Sequence, residues 1–339
     1  MSSVRAYAVT NPQGALEPFE YELAPLTAQE VEIAIESCGL CHSDLSMARN
    51  EWGNTTYPLV PGHEIVGNVV ALGDQVPRLR VGQRVGVGWF SRSCMSCMRC
   101  LRGDHNLCVD AEQTIVGRHG GFADKVRCHW SWATPVPDGL DPLAAGPLFC
   151  GGVTVFNPIL QCGVLPTDRV GVVGIGGLGH MAVQLLSKWG CHVTAFTSSA
   201  NKADEAKRFG AHRIVDSRSS EQIKATAGML DFLLVTVNVP LEWSLYLQAL
   251  APRGRFHVVG GVLEPIPVPA FGLIGGQKSV SGSPLGSPAT TRTMLEFCAR
   301  HSVAPQIERF PMSKVNDAIA HLDAGKARYR IVLENDFGG

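Results

Sequence analysis

The spacing of hydrophobic positions changes part-way along the chain. From Val4 to about Pro147, short runs such as "VEIAIESCG" and "GHEIVGNVVALG" alternate apolar with polar residues, and Gly and Pro separate the runs. Alternation with a period of two, interrupted by turn residues, is typical of strands with one buried face. This part of the chain is therefore predicted to form a compact, irregular β-rich domain.

From about Gly151 the pattern becomes one of strands and helices in turn. "DRVGVVGIGGLGHMAVQLLSKWGCHVTAFTSS" reads as strand, glycine turn, helix and strand, and "RIVDS", "MLDFLLVTVN", "GRFHVVGG" and "KSVSGS" predict further buried strands. Helical stretches such as "NKADEAKRFGA" and "LEWSLYLQAL" lie between them. Strands alternating with helices predict a doubly wound parallel sheet. From about Pro288 the sequence pattern is mixed again, with a helical "VNDAIAHLDAGKAR" and a strand-like "YRIVLEN".

Composition narrows the class of protein. The 339 residues are 45% hydrophobic and 17% charged, which is typical of a well-buried globular chain of two domains. The net charge of −1 provides no basic field for a phosphate backbone, so we expect no nucleic-acid partner. With no apolar run long enough to span a bilayer and no signal-like start in "MSSVRAYAVT", we expect no membrane partner and a cytoplasmic location. In such a reducing compartment, eleven cysteines indicate metal binding and buried thiols rather than disulfides.

Four cysteines occur within one short loop. Cys94, Cys97, Cys100 and Cys108 follow the pattern C-x2-C-x2-C-x7-C. Thiolates two residues apart can face one point from a tight turn, and the fourth closes a tetrahedron whose complete sulfur shell is typical of structural zinc. Two alternatives are an iron–sulfur cluster, whose bacterial spacing would require an earlier fourth cysteine, and buried or redox-active thiols.

A second set of candidate ligands is scattered along the chain. Cys41, His63 and Cys150 would form a Cys₂His set, which leaves one position of a zinc ion open for water or substrate. Composition alone is a weak argument, because cysteines and histidines are also ordinary core residues. His63 and Glu64 do not begin an H-E-x-x-H helix, since Gly67 stands at the second histidine position.

A glycine turn indicates a dinucleotide. Gly174, Gly176 and Gly179 follow the pattern G-x-G-x-x-G after a strand-like "RVGVV", and they open a helix-like segment. In this context the glycines let the backbone approach a pyrophosphate, whose charge is favoured at the helix N-terminus.

The end of the next strand favours NADP(H). An NAD enzyme needs an acidic residue there for the ribose hydroxyls, but "AFTSSANK" contains none before Asp204. Ser198 and Ser199 can donate hydrogen bonds, and Lys202 can offset the charge of a 2′-phosphate. The alternative is that a serine here caps the following helix.

The motifs together resemble one family. "CGLCHSDL", "PGHEIVGNVVALG", "GQRVGVG", the four-cysteine loop, "GGFA", "PLFCGGVTVF" and "GIGGLGH" occur in an order that closely resembles the zinc-dependent medium-chain alcohol dehydrogenases, from end to end. The resemblance is greatest to the cinnamyl-alcohol-dehydrogenase-like branch, which includes bacterial broad-specificity NADPH-dependent aldehyde reductases. It implies an α/β chain with a GroES-like catalytic domain (residues 1–150 and 286–339), a Rossmann nucleotide-binding domain (residues 151–285), and assembly as a homodimer.

The resemblance also implies roles for individual residues. Zn²⁺ would occupy both cysteine-containing sets, the catalytic ion on Cys41, His63 and Cys150. Glu64 would be a carboxylate able to enter the metal shell. Asp44 would fix the tautomer of His63, although from the residues alone it could simply be a helix-start residue.

The proton relay departs from the family pattern. Ser43 would pass a proton between the substrate oxygen and the nicotinamide ribose. Many relatives have a histidine five residues after the first zinc cysteine, where this chain has Ser46. Either water completes the relay or Ser46 takes part weakly, and His42 is expected to point away from the metal.

The resemblance extends to the cofactor and substrate pockets. The implied cofactor residues are Thr154, Gly174, Gly176, Gly177, Leu178, Gly179, Ser198, Ser199, Lys202, Val237, Asn238, Val259 and Gly260. Trp52 and Trp89 match pocket positions that favour planar aromatic or elongated aliphatic aldehydes, and the alternative is that both simply pack in the core. We expect Arg328 and Arg330 to form a solvated charge cluster, with contact to the cofactor phosphates as the alternative.

The function implied is reversible hydride transfer between NADP(H) and primary alcohols or aldehydes, with Zn²⁺ as Lewis acid, in the direction of aldehyde reduction. The alternatives are an NAD-dependent polyol or secondary-alcohol dehydrogenase, a catalytically silent member of the fold, and a non-enzymatic zinc module that contacts nucleic acid. The remaining cysteines and tryptophans singled out are expected to pack in the core: Cys38, Cys128, Cys162, Cys191, Cys298, Trp130, Trp132 and Trp243.

Overall fold

The computed structural model describes residues 2–199 and 201–338. The chain divides into two compact units. The first unit comprises Met1–Val153 and Gly286–Gly339, and the second comprises Thr154–Leu285.

The first unit is rich in short strands. Its strands are β1 (Ser2–Ala8), β2 (Glu17–Leu23), β3 (Glu30–Leu40), β4 (Ile65–Leu72), β5 (Arg84–Val87), β6 (Phe90–Arg92), β7 (Glu112–Gln113), β8 (Lys125–His129), β9 (Thr134–Pro135), β16 (Ile307–Pro311) and β17 (Arg330–Glu334). Its helices are α1 (His42–Ala48), α2 (Met98–Leu101), α3 (Pro142–Ala145), α10 (Pro288–His301) and α11 (Val315–Asp323), with α4 (Gly151–Gln161) running from the first unit into the second. Short 3-10 helices lie at His105–Leu107, Trp130–Trp132, Gly146–Phe149 and Met312–Lys314.

The long strand β3 organises the first unit. It pairs antiparallel with β4, β8 and β17 in a seven-stranded sheet, and its alternate residues, among them Val31 and Ile33, are buried in the core as the period-two pattern predicts. The pair Cys38 and Ile65 lies in register near the end of β3, so the chain leaves β3 toward α1 beside the segment that precedes β4. This arrangement brings two distant parts of the sequence together.

The second unit alternates strands with helices. Its strands are β10 (Arg169–Val173), β11 (His192–Thr197), β12 (Arg213–Asp216), β13 (Leu230–Val235), β14 (Leu250–Val258) and β15 (Ser279–Gly282). Its helices are α5 (Gly179–Trp189), α6 (Asn201–Arg208), α7 (Ser220–Lys224), α8 (Trp243–Ala249) and α9 (Ala270–Ile274).

The six strands form one parallel sheet in the order β12-β11-β10-β13-β14-β15. The predicted doubly wound sheet is therefore confirmed. The strand order reverses between β10 and β13, and in sheets of this kind ligands bind outside the carboxyl ends of the strands at such a point. The glycine turn lies at the carboxyl end of β10 and thus at this point.

One major element was missing from the sequence prediction. Helix α10 has 14 residues and is the longest of the described helices, although the sequence pattern of its segment is mixed and did not predict a helix there. Its start signal is nevertheless present, because the Ser287 side chain accepts a hydrogen bond from the backbone N–H of Thr290 and Pro288 occupies the first turn. A serine followed by proline could have located this helix.

Within the described residues, no single helix is long and apolar enough to cross a membrane. Two consecutive helices, Pro142–Phe149 and Gly151–Gln161, pass that test together, by length and composition only, and they are bent by 56° where they meet.

Candidate active site

Three side chains from separate segments of the first unit converge on one point. The Sγ atoms of Cys41 and Cys150 are 3.9 Å apart, and Nε2 of His63 lies 3.3 Å from Sγ of Cys150. Together with a carboxylate oxygen of Glu64, these atoms lie within 4.8 Å of one another. Tetrahedral zinc, with bonds of about 2.3 Å to sulfur and about 2.0 Å to nitrogen, separates its ligand atoms by roughly 3.5 to 3.8 Å. The donor set therefore has the composition and the spacing of a zinc site.

Backbone structure places these donors. Cys41 stands between β3 and α1, and His63 and Glu64 immediately precede β4. The Gly39 N–H donates to the Glu64 carbonyl over 2.9 Å, so the end of β3 holds this segment directly. A side chain at Gly39 would collide with the Glu64 carboxylate, which explains the glycine at that position.

Asp44 joins the segments that carry Cys41 and His63. Its Oδ1 lies 2.9 Å from Nδ1 of His63 and accepts the Gly62 N–H, also over 2.9 Å, while its Oδ2 accepts the Cys41 N–H. The contact with the Cys41 N–H is the one expected of a helix-start residue, and the contact with His63 is the one expected of a residue that fixes the histidine tautomer. Asp44 makes both contacts. A carboxylate on Nδ1 favours a proton there and leaves the Nε2 lone pair directed at the cluster.

The environment of Cys41 favours its thiolate form. A hydrogen bond from the Cys150 thiol, with the positive charge of Arg330 and the ring of His63 nearby, holds the pKa of Cys41 well below its usual range despite burial. A thiolate is the form of cysteine that binds a metal ion. The site is therefore electrostatically suited to a cation before one binds.

The position of Arg330 differs from the prediction made from the sequence. It lies in β17 and is buried, and its guanidinium forms an ion pair with the carboxylate of Glu64. The prediction of a solvated charge cluster is wrong for this residue, because the pairing of β17 with β3 turns it into the core. Arg328 is half-buried instead, and its backbone N–H donates to Glu308 over 2.8 Å. The only sequence signal for the buried pair was an arginine beside the apolar run of "YRIVLEN".

The relay candidates all lie on α1. Ser43 Oγ is 3.8 Å from Sγ of Cys41, so this hydroxyl borders the cluster. Ser46 is buried, and its hydroxyl donates to Oε2 of Glu51 over 2.7 Å. His42 is exposed and does not belong to the cluster.

Two tryptophans lie beside the cluster of Cys41, His63 and Cys150. The Trp89 ring meets the His63 ring edge-to-face with centroids 5.0 Å apart, and Trp52 meets Trp89 in the same way at 5.9 Å. Trp89 also packs against the core of the first unit, whereas Trp52 is exposed. An exposed aromatic face this close to His63 can contact a planar substrate.

The four-cysteine loop is also compact. Sγ of Cys94 lies 3.9 Å from that of Cys100 and 3.5 Å from that of Cys108, and Cys97 lies 3.9 Å from Cys108. These separations fit tetrahedral zinc with a complete sulfur shell. Hydrogen bonds from the backbone N–H groups of Ser96 and Cys97 lower the pKa of Cys94 to about 6. The structure shows all eleven cysteines as free thiols.

The glycine turn of the second unit has the shape of a phosphate cradle. Gly174 has a φ of 91°, which favours glycine, and a side chain on Gly179 would collide with the carbonyl of Gly174. A Cβ on Gly176 would meet no atom within 4 Å, so space is open in front of this backbone. The turn can accept a pyrophosphate at the start of α5.

Most of the other implied cofactor residues follow the carboxyl ends of strands in the parallel sheet. Ser198 and Ser199 follow β11, Val237 and Asn238 follow β13, and Val259 and Gly260 follow β14; Gly177 and Leu178 complete the glycine turn, and Thr154 begins the second unit within α4. The backbone N–H of Ser199 donates to Thr197 Oγ1 over 3.3 Å, and that of Lys202 donates to the Ser199 carbonyl over 3.1 Å. The end of β11 carries no carboxylate, as the sequence indicated.

Most of the residues expected to pack in the core are buried. Cys38, Cys128, Cys191, Cys298, Trp132 and Trp243 are buried, and Trp130 packs against the core of the first unit. Cys162 is half-buried beside His257, with its Sγ 3.5 Å from Nδ1 of that residue.

Comparison with known proteins decides the family. The family described as "Alcohol dehydrogenase GroES-like domain" matches residues 27–138, and the one described as "Zinc-binding dehydrogenase" matches residues 177–300. The chain is 54% identical over 332 residues to "Aldehyde reductase AdhA" of Synechocystis sp., covering 98% of this chain and 99% of that protein. The chain belongs to the zinc-dependent medium-chain alcohol dehydrogenases.

Solved structures agree with this assignment. A cinnamyl alcohol dehydrogenase of Sorghum bicolor, SbCAD4, superposes with a TM-score of 0.94 at 38% identity over 98% of both chains. The cinnamyl-type enzyme of Helicobacter pylori complexed with NADP(H) gives 0.90 at 27% identity, also over 98% of both chains. This alcohol dehydrogenase is thus of the cinnamyl-alcohol-dehydrogenase-like branch, with a GroES-like part and a Rossmann-type sheet, and it is an oxidoreductase of alcohols and aldehydes.

Proposed function

We propose that this alcohol dehydrogenase uses NADPH to reduce aromatic and elongated aliphatic aldehydes to primary alcohols. The observation that carries the proposal is the end of β11, where Ser198 and Ser199 stand in place of an acidic residue. A carboxylate would repel a 2′-phosphate, whereas hydroxyls and the ammonium of Lys202 would bind it. The names of the relatives support this choice, since one is called an aldehyde reductase and another was solved with NADP(H).

The first unit would hold the zinc ions. Cys41, His63 and Cys150 would bind the catalytic ion, with Glu64 close enough to join the shell, and the four cysteines of the loop would bind a structural ion. The catalytic ion supplies a Lewis acid for the substrate oxygen, and NADPH supplies the hydride. Asp44 would keep the proton of His63 on Nδ1, so that Nε2 stays free to bind metal.

The residues around the site would position the substrate and its proton. Ser43 borders the cluster, so its hydroxyl would give a proton to the carbonyl oxygen during aldehyde reduction. Trp52 and Trp89 would contact the substrate through their rings, which supports planar or elongated aldehydes over small polar ones.

The second unit would bind the dinucleotide. The turn from Gly174 through Gly179 would hold the pyrophosphate, Ser198, Ser199 and Lys202 the 2′-phosphate, and the segments after β13 and β14 the nicotinamide half. Thr154 would join them from α4. Position at the carboxyl ends of β13 and β14 is the reason for assigning cofactor contacts to Val237, Asn238, Val259 and Gly260.

We further propose a homodimer in the cytoplasm. Strand β15 ends the strand order of the parallel sheet, and the same unit exposes the apolar side chains of Leu263, Phe271 and Ile274. A second copy would cover such a strand edge and such side chains. Eleven free thiols support a reducing compartment. Light scattering on purified protein tests the dimer, and the mass of a single chain would overturn it.

The test of function is the initial rate of cofactor oxidation with cinnamaldehyde, with NADPH and NADH compared on one enzyme preparation. We expect kcat/KM to be higher with NADPH by about 10- to 100-fold, the value of one or two charge-assisted hydrogen bonds. Ser199→Asp should reverse this preference, and Ser219→Asp, which changes a helix-capping serine of the same unit, should not. Equal rates with both cofactors would favour the NAD-dependent polyol or secondary-alcohol dehydrogenase.

A further inference from the structure

A buried threonine gives both of its hydrogen-bond donors to the segment that carries Trp89. Thr114 is 1% exposed, and its hydroxyl donates to the Gly88 carbonyl over 2.6 Å while its N–H donates to the Trp89 carbonyl over 2.7 Å. Breaking such a bond in a protein interior costs free energy, because the carbonyl oxygen loses a partner that water does not replace. Thr114 therefore restrains two consecutive peptide groups.

The restrained segment begins where the main sheet of the first unit ends. The pairing of β5 with β4 ends at Val87, which lies opposite Ile65. Continuing this antiparallel register by two residues places Trp89 opposite His63, and the rings of these two residues meet edge-to-face with centroids 5.0 Å apart. Beyond Val87, Thr114 supplies hydrogen bonds in place of the main sheet.

The backbone of this segment also fits closely against the residue before Cys150. A Cβ on Gly88 would lie 2.4 Å from the carbonyl oxygen of Phe149. The chain at Gly88 is therefore confined by Phe149 as well as by the hydrogen bond from Thr114. A backbone confined in this way fixes the origin of the next side chain, which is Trp89.

Thr114 is itself held in place by the strands that close the four-cysteine loop. Strands β6 and β7 flank that loop, and their pairing sets Phe90 opposite Gln113. The hydrogen bond from Thr114 to Trp89 continues the same antiparallel pairing by one residue. The far end of the loop is thus connected directly to the segment beside His63.

We propose that Thr114 is a positioning residue for the recognition of aromatic aldehydes, because it holds the Trp89 ring beside His63, where the planar part of the substrate would lie. The inference rests on the proposed function, in which Trp89 contacts the substrate, and deepens it by naming the residue that sets this contact. Thr114 acts through Trp89 rather than on the substrate.

The expected kinetic effect follows from what the ring contacts. Trp89 would touch the aromatic part of the substrate in the ground state and in the transition state alike, so its position sets the KM for aromatic aldehydes and leaves kcat unchanged. Acetaldehyde has no ring for Trp89 to contact. A change at Thr114 should therefore separate the two substrates.

The test compares Thr114→Val with Thr114→Ser in the zinc-loaded enzyme. Valine keeps the shape of threonine without the hydroxyl, whereas serine keeps the hydroxyl without the methyl group. In Thr114→Val, the KM for cinnamaldehyde should rise about 3- to 10-fold, the value of one hydrogen bond between neutral groups, while kcat and the KM for acetaldehyde stay unchanged. Thr114→Ser should behave as the wild type.

The matched control is Thr226→Val in the second unit. Thr226 is also 1% exposed, and its hydroxyl donates to the Ile223 carbonyl over 2.6 Å. This change removes a hydrogen bond of the same kind and length, and it should leave the KM for cinnamaldehyde unchanged. If Thr114→Val does not fold, the comparison of Thr114→Ala with Thr114→Ser isolates the hydroxyl in a smaller side chain and should give the same difference in KM.

A second readout requires neither cofactor nor turnover. In protein labelled with 5-fluorotryptophan, the ¹⁹F resonance of Trp89 is identified by its loss in Trp89→Phe. This resonance should shift or broaden in Thr114→Val but not in Thr114→Ser or Thr226→Val. The resonance of Trp189, whose indole N–H donates to the Val164 carbonyl in the second unit, is the reference and should not move in Thr114→Val.

The outcomes separate this inference from the proposed function. If the wild-type enzyme reduces cinnamaldehyde with NADPH but Thr114→Val matches it in KM and in ¹⁹F spectrum, the role of Thr114 is overturned and the proposed function stands. Equal losses with cinnamaldehyde and acetaldehyde, or a greater loss in Thr114→Ser than in Thr114→Val, would show a role in packing alone and would also overturn it. If the wild-type enzyme reduces neither aldehyde, the proposed function fails, and the ¹⁹F comparison still decides whether Thr114 holds Trp89.

Discussion

Nδ1 of His63 lies 2.9 Å from Oδ1 of Asp44 in a pair whose side chains are both buried. Each oxygen of the carboxylate also accepts a backbone N–H, one from Gly62 and one from Cys41. One acidic side chain therefore orients the imidazole and holds the two segments that carry Cys41 and His63. The proposed metal site therefore depends on this carboxylate as well as on its donors.

Replacing Asp44 by Asn should weaken zinc binding at the cluster by about 10- to 100-fold. All three contacts of Asp44 require an acceptor, so the amide nitrogen must face a donor whichever way the side chain turns. Competition with a chelating dye measures the loss, and the zinc of the four-cysteine loop is the internal reference. Equal retention of both ions would contradict the argument.

Removing Arg330 should destabilise the first unit strongly. Burial raises the pKa of Glu64 and the guanidinium of Arg330 opposes this, so Arg330→Leu leaves a buried carboxylate without its counter-ion. Breaking one side of a buried pair costs about 3 to 5 kcal/mol. Urea unfolding of the zinc-loaded protein tests this.

The matched control for Arg330→Leu is the double variant that combines it with Glu64→Gln and so removes both charges. We expect it to recover a large part of the lost free energy of unfolding, because no unpaired charge remains. If Arg330→Leu alone is as stable as the wild type, the pair contributes nothing to the fold.

Removing one cysteine of the loop should halve the zinc content. Cys108→Ser should leave only the ion at Cys41, His63 and Cys150, and the melting temperature should fall because a structural zinc contributes folding free energy directly. Mass spectrometry of the metal content and thermal unfolding measure the two effects. Cys162→Ser lies outside both sets and should keep the zinc content of the wild type.

Acid should destabilise the second unit through His257. Burial, with a smaller contribution from Arg255, lowers the pKa of His257 to about 4, whereas a histidine in an unfolded chain titrates near 6.5. Between these values the unfolded chain binds a proton that the native state does not, so the free energy of unfolding falls as the pH drops from about 6.5 to about 4. Serine hydroxyls 2.9 Å from each ring nitrogen, on Ser281 and Ser283, suit the neutral ring.

His257→Asn should therefore reduce the dependence of stability on pH within that window. Urea unfolding at several pH values measures it, and His192→Asn, at an exposed histidine of the same unit, should leave the dependence unchanged. An equal slope in His257→Asn and the wild type would show that the pKa of His257 is the same in the native and the unfolded state.

The sequence alone predicted those sites whose residues lie close together in the chain. The four cysteines of the loop lie within fifteen positions of one another, so their spacing alone predicts a metal shell. The glycine turn is predicted for the same reason, since a strand, a turn and a helix in succession define its geometry. Period-two and helical patterns likewise predicted the class of both units, although not α10.

Tertiary structure decided every relationship between distant segments. Arg330 meets Glu64 because β17 pairs with β3, and β3 in turn pairs with β4, whose start carries His63 and Glu64. Ser46 meets Glu51 because the left-handed Asn50 returns the chain toward α1. Sequence reasoning found Cys41, His63 and Cys150 as candidates, but composition alone could not bring them together. A contact between residues far apart in sequence depends on sheet register and chain reversal, and neither can be read from the local spacing of residues.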